Sequence, residues 1–188
     1  MKKEIITIAG APGSGKSSAA NLVAKELGFK HFSSGDFMRK IALETGISLN
    51  ELSKNAETDD SIDFKIDNEV KKVKEMNQIV LDSRLAFHWI PESFKVFLDL
   101  PAEIAKERIW NNLQENKLRQ KSENALSKDE VYQKITERLS SEQKRYSDLY
   151  EIDHINKENF DLVIDTNKNN LEEVAKTIVL EYKKWIVK

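Results

Sequence analysis

Five short apolar runs are spaced along the chain, and segments with helical periodicity fill the intervals between them. The runs are Ile5 to Ala9, Lys30 to Ser33, Ile79 to Asp82, Val96 to Leu100 and Leu162 to Asp165. Apolar strands that alternate with helices predict a parallel sheet covered on both faces. The periodic segments predict helices over Gly15–Leu27, Asp36 to about Glu44, Leu49–Ala56 and Ile62–Met76. Pro101 suits the first turn of a helix reaching Asn116, and Gly28 a helix stop. Lys117–Ser127 is polar and uneven, which suits a mobile segment, and a long charged helix follows from Lys128 to about Tyr150. The last helix, Leu171–Trp185, carries Leu171, Val174, Ala175, Ile178, Val179 and Tyr182 on one face, the stripe a helix needs to close a sheet. A length of 188 residues suits one domain with a full core.

Between the first strand and the first helix stands Gly10-Ala11-Pro12-Gly13-Ser14-Gly15-Lys16-Ser17, followed by Ser18. Glycines at 10, 13 and 15 let the backbone curl so that successive amides point into one concavity. Lys16 offers a positive charge to the β- and γ-phosphates of a nucleotide, and the Ser17 hydroxyl is a ligand for Mg²⁺. The positive end of the helix dipole falls on the same point. The strand–loop–helix setting makes this run a phosphate-binding loop, with residues 10–18 expected around the phosphates of a nucleotide. Asp82, at the C-terminal end of its own strand, is a second candidate to hold Mg²⁺ or its water shell.

Composition narrows the alternatives. The chain has no cysteine, which excludes disulfides, thiolate catalysis and cysteine-based zinc sites. A formal charge of −2 gives no basic footprint for nucleic acid or an anionic membrane. The amino-terminal apolar run is too short for a signal peptide and no stretch reaches transmembrane length, so a cytoplasmic monomer is expected. His31, His88 and His154 lack ligand spacing and read as incidental. The six glycines all lie at or before Gly46, which leaves no later glycine-containing switch loop. Asn156-Lys157-Glu158-Asn159 and Asn167-Lys168-Asn169-Asn170 lack the Asp of a guanine reader, which disfavours a GTP-binding switch.

The 24 lysines do the solubilising, so each of the six arginines is notable, because a guanidinium grips phosphate in a two-pronged way an ammonium cannot. Five of them, Arg39, Arg84, Arg108, Arg138 and Arg145, are expected at the mouth of the phosphate loop. Arg138, Glu142 and Arg145 share one helical stripe. A hydroxyl acceptor would need a carboxylate base, for which Asp36 is available, but would leave Arg39 and Arg84 nothing to bind.

These segments together make the chain resemble the nucleoside monophosphate kinases, most closely the archaeal type of cytidylate kinase. The resemblance rests on AGAPGSGKS (9–17), SSGDFMR (33–39), VLDSRLA (80–86), AKERI (105–109), ERLSSEQKRY (137–146) and FDLVIDT (160–166). It implies the P-loop NTPase fold, a three-layer α/β sandwich with a helical acceptor-binding insert near 35–77 and a mobile lid near 108–138. It implies Ser34, Asp36, Arg39 and Arg84 on the acceptor side and Glu142 as a ribose or acceptor contact. With Lys16 and Arg84, Arg108, Arg138 and Arg145 would neutralise charge during transfer from ATP, with Mg²⁺, to CMP or dCMP. An adenylate kinase shares the first two motifs and stays open as the alternative. Three positions depart from the family: Ser83 replaces a glycine, Asn112 stands near where an arginine is usual, and Leu85 occupies the place of the bacterial enzymes' aspartate. For the base, Asp63 and Asp67 lie one helical turn apart, and a carboxylate that accepts from the exocyclic amine of cytosine is its natural reader. The competing reading places both on a solvated helix face beside Lys65 and Lys71.

Overall fold

A computed structural model describes residues 3–47, 49–115 and 127–188. Five strands form one all-parallel sheet: β1 (Ile5–Gly10), β2 (Lys30–Ser33), β3 (Ile79–Asp82), β4 (Phe94–Asp99) and β5 (Leu162–Asp165). Their spatial order is β2-β3-β1-β4-β5. The helices are α1 (Lys16–Leu27), α2 (Ser34–Thr45), α3 (Leu49–Asn55), α4 (Ser61–Val73), α5 (Ala86–Trp89), α6 (Ala102–Glu115), α7 (Lys128–Tyr150) and α8 (Leu171–Ile186).

Alternation of side chains along each strand feeds two cores. Ile6, Ile8 and Val80 pack with Ala20 and Val23 of α1 and with Ile178 and Tyr182 of α8. Ile5, Ile79 and Leu81 turn the other way, onto Val70 and Val73 of α4 and Ile90. The central strand is buried along its whole length, which explains why it reads as a continuous apolar run. A separate small core, Ile41, Ala42, Leu52, Ala56 and Ile62, holds α2, α3 and α4 together. Another joins α6 to α7 through Leu113, Val131 and Ile135. Asn170 and Glu173 cap α8 reciprocally, which is worth about 1 kcal/mol.

Several boundaries differ from expectation. β4 begins at Phe94 because Lys95, polar and half-exposed, still pairs with Thr7. Ser33 rather than Asp36 caps α2, its Oγ accepting from the Gly35 amide at 3.2 Å. The short helix α5 carries too few residues for periodicity to betray it. α4 ends at Val73, short of Met76. The expected mobile segment lies almost wholly outside the described residues, as does Arg119.

Strand order decides where chemistry can occur. β1 has β3 on one side and β4 on the other, and the chain leaves β1 through α1 toward β2. Ligands of open parallel sheets sit at the carboxyl ends of strands at such a switch point. The loop after β1 stands there.

Candidate active site

The loop from Gly10 to Ser17 is shaped by backbone that only glycine adopts easily. Gly13 and Gly15 lie at φ +72° and +84°, and Gly10 at +148°. Gly13 touches α6: a Cβ there would stand 3.2 Å from Ile109 and 3.3 Å from the Ala105 carbonyl. Pro12 and Ser14 are buried, and the Ser14 hydroxyl donates to the Ala11 carbonyl at 2.8 Å. Gly15 offers no side chain to cap α1, so the first amides of that helix face the loop without a side-chain acceptor at the cap. The Lys16 ammonium lies across the loop, donating to the Gly10 and Ala11 carbonyls at 3.0 and 2.8 Å. It is half-buried rather than solvated. Burial, then the nearby Arg84 charge, pushes its pKa well below the usual lysine value. A polyanion would relieve both effects.

Ser17 and Asp82 come together as expected. Asp82 is buried and pairs in register with Ile8, and Ser17 is among the neighbours that favour its ionised form. Ser33 Oγ donates to its Oδ1 at 2.8 Å and His31 Nε2 to its Oδ2 at 3.1 Å. Burial pushes the carboxyl up, but His31, Ser33 and Ser17 outweigh it, leaving the pKa below the ordinary value. An ionised carboxylate beside a hydroxyl is a hard oxygen donor set that fits Mg²⁺. Among the described residues no group of three or more His, Cys, Asp or Glu could hold a metal. Bonded to Asp82, His31 is not incidental. Its alternation with Ser33 on β2 was visible, but the pairing of β2 with β3 was not.

Arg84 and Glu142 form the centre of the site. Arg84 Nε donates to Glu142 Oε2 at 2.6 Å and its Nη1 to the Gly10 carbonyl at 2.7 Å. Arg138 Nε reaches Glu142 Oε1 at 2.9 Å. Glu142 is only 5% exposed, so the stripe on α7 is not a solvated ion-pair face. Burial pushes its carboxyl up, yet the charges of Arg84 and then Arg138, with their hydrogen bonds, hold the pKa down to about 2.

A folded pKa of about 2 against an ordinary 4.5 implies stability that is fully present above pH 4.5 and lost as pH falls toward 2. That difference corresponds to about 3 kcal/mol. Asp63 and Asp67 are both shifted up by burial and act in the opposite sense, so the contribution is isolated by difference. The gap in urea-unfolding free energy between wild type and Glu142→Gln should narrow by about 3 kcal/mol from pH 5 to pH 2. A gap that stays constant over that range contradicts the assignment.

The remaining candidates divide. Arg145 turns to α4, donating through Nε to Asp63 Oδ2 at 2.8 Å and through Nη1 to Ser141 at 2.9 Å. Asp67, one turn on, accepts the Tyr150 hydroxyl. Both carboxylates are 5% exposed, which overturns the solvated-face reading. Arg108 donates to the Thr166 carbonyl at 2.5 Å, on the β5 side of the loop. Arg39 is exposed and paired with the exposed Asp36 on the surface of α2, where Asp36 has no buried setting to act as a base. The five arginines thus do not meet at one point: Arg84 and Arg138 share Glu142, while Arg39, Arg108 and Arg145 bond elsewhere. Ser34 opens α2, next to the Ser33 cap. Ser83, one of the three departures from the family, is buried and donates its amide to the Ile8 carbonyl at 3.1 Å.

A parallel sheet of this order, with a phosphate loop at its switch point and arginines from two further elements, defines a phosphate-loop kinase. The fold matches shikimate kinase from Acinetobacter baumannii in complex with shikimate, with a TM-score of 0.61 at 17% identity over 99% of this chain and 96% of that one. The sequence profile of the cytidylate kinase-like family matches residues 5–168, and the chain belongs to that family. Cytidylate kinase from Methanocaldococcus jannaschii is 35% identical over 90% of this chain and 92% of its own length. The protein of that name from Pyrococcus abyssi is 36% identical over 90% and 88%.

Proposed function

We propose that this chain transfers the γ-phosphoryl group of ATP to a nucleoside monophosphate, with CMP or dCMP preferred. The carrying observation is the charge at the loop. Lys16 lies over the loop while Arg84 and Arg138 share Glu142, so that with Asp82 three cations face two carboxylates in a partly buried setting, a net positive charge. Two anionic phosphate groups facing each other balance that excess, which an uncharged acceptor would not. An oxygen of the acceptor phosphate, already anionic at neutral pH, attacks the γ-phosphorus as the bond to the β-phosphate oxygen breaks and ADP leaves. No general base is needed, and the work is alignment and charge stabilisation.

Residues 10–18 would hold the ATP phosphates. Ser17 and Asp82 would hold Mg²⁺, which supplies charge neutralisation to the bridging oxygens when bound. Arg84 would release Glu142 to grip the acceptor phosphate, with Ser34, Asp36 and Arg39 lining the approach in the insert near 35–77. Arg108, Arg138 and Arg145, from the lid near 108–138 and the helix beyond it, would close over the transferring group and exclude water. Asp63 and Asp67 are supported as readers of the base because they are buried, held from α7 and able to accept from an amine.

The test is coupled-assay turnover with CMP, dCMP, UMP, AMP and GMP. A site that hydrogen-bonds an amine discriminates strongly against a carbonyl in its place. CMP or dCMP should exceed AMP and GMP in kcat/KM, and UMP should be the poorer pyrimidine. If AMP is the best acceptor the cytidylate reading is wrong, and activity with none of them overturns the kinase reading.

A further inference from the structure

The least expected contact in the molecule is on the edge strand. β2 is the outermost strand, half-exposed, and contributes no residue of the phosphate loop. Yet His31 and Ser33, two positions apart and hence on one face of β2, take one oxygen each of Asp82. Ser33 is in register with Asp82, and His31 reaches it diagonally from beside Val80. A single donor would leave one oxygen of this buried carboxylate without a partner from β2. Two donors on opposite oxygens do more, because they fix its rotation about the Cβ–Cγ bond.

The direction of these bonds is set by their neighbours. Ser33 Oγ accepts from the Gly35 amide as the cap of α2, so its only proton is free to point at Asp82. A carboxylate oxygen has two lone-pair sites, and each Asp82 oxygen keeps one after these bonds. Ser17, the other candidate metal ligand, is a neighbour of the same carboxylate.

We infer that His31 and Ser33 are positioning residues that aim the Asp82 carboxylate at the divalent cation accompanying ATP. The inference rests on the phosphoryl-transfer reading and extends it to two residues of the edge strand, outside the phosphate loop. Outer partners that orient a metal ligand typically affect metal affinity by about 10–100-fold. The coupling also ties the cation site to the start of α2, since the same Ser33 oxygen caps that helix.

Calorimetric titration of ATP, with Mg²⁺ varied and with EDTA, tests this without any turnover. Wild type should bind ATP more tightly as Mg²⁺ rises. His31→Leu should need at least about tenfold more Mg²⁺ for half of that gain, while its ATP affinity in EDTA stays at the wild-type value. His31→Gln, which keeps a donor of similar reach, should restore most of the Mg²⁺ response. Ser33→Ala should weaken the Mg²⁺ response in the same direction. Should His31→Leu fail to fold, His31→Asn carries the test, because it keeps polarity at this half-exposed position but shortens the donor. A wild-type Mg²⁺ response in a folded Leu or Asn variant overturns the inference and leaves the kinase reading standing. A wild type whose ATP affinity ignores Mg²⁺ overturns the phosphoryl-transfer reading itself.

Discussion

Lys16→Ala should lower turnover about 10²–10³-fold while leaving the protein folded. The ammonium stands over the loop, bonded to the Gly10 and Ala11 carbonyls, and makes no contact with either sheet core. Its removal deletes a charge that acts on the moving phosphoryl group, in a setting where burial strengthens every electrostatic term. Arg84 would not replace it, because in the proposed reaction its guanidinium leaves Glu142 for the acceptor phosphate. Steady-state kinetics with saturating ATP and acceptor, alongside a urea unfolding curve, checks both halves. Near-normal turnover in a folded variant removes the phosphate-loop assignment.

Gly10→Ala should cost at least about 4 kcal/mol and abolish a stable fold. An alanine Cβ at this position would lie 2.3 Å from the Leu98 carbonyl oxygen and 2.9 Å from its nitrogen. Those are backbone atoms of β4, paired in register with Gly10 itself, and the following residue, Ala11, donates its amide to the same Leu98 carbonyl. Relief would require parting two central strands, with loss of the packing of Ile8 and Val96 between the helical layers. Gly15→Ala is the control: its φ is +84°, but a Cβ would meet nothing within 4 Å, so only the left-handed backbone is penalised, by about 1–2 kcal/mol. Soluble yield and urea midpoints of the two variants should differ widely. Similar midpoints contradict the close approach of β1 and β4.

Much of the framework was legible because it is local. Strands β1, β3 and β5 were bounded to within a residue by apolar runs, and the phosphate loop by glycine spacing whose positive φ values the backbone bears out. Helix α8 followed from one apolar stripe, which the structure buries against α1 and β4 from Val174 to Tyr182 while Leu171, at the start of the helix, stays exposed. The boundaries that failed were those set by tertiary context. Lys95 belongs to a strand because its neighbours pair with β1, and Ser33 caps α2 because Asp82 orients its hydroxyl.

The sequence by itself determined which chemistry is available: a loop for phosphate, guanidinium groups in excess of cysteine or histidine chemistry, and carboxylates at strand and helix positions. These depend on residue type and on spacing within one element. Only the tertiary structure decided how those groups are partnered, because Arg84 and Glu142, Asp63 and Arg145, and His31 and Asp82 are each far apart in the chain, by 58, 82 and 51 residues. Glu142 is the counter-ion of Arg84, Asp63 is bonded to Arg145 rather than to solvent, and Arg39 stays with its own helix neighbour. His31 looked incidental until the order β2-β3-β1 brought its strand beside Asp82. Strand order and helix rotation are fixed by burial of the two apolar faces of the sheet, and that global condition places a residue beside partners its own segment does not contain.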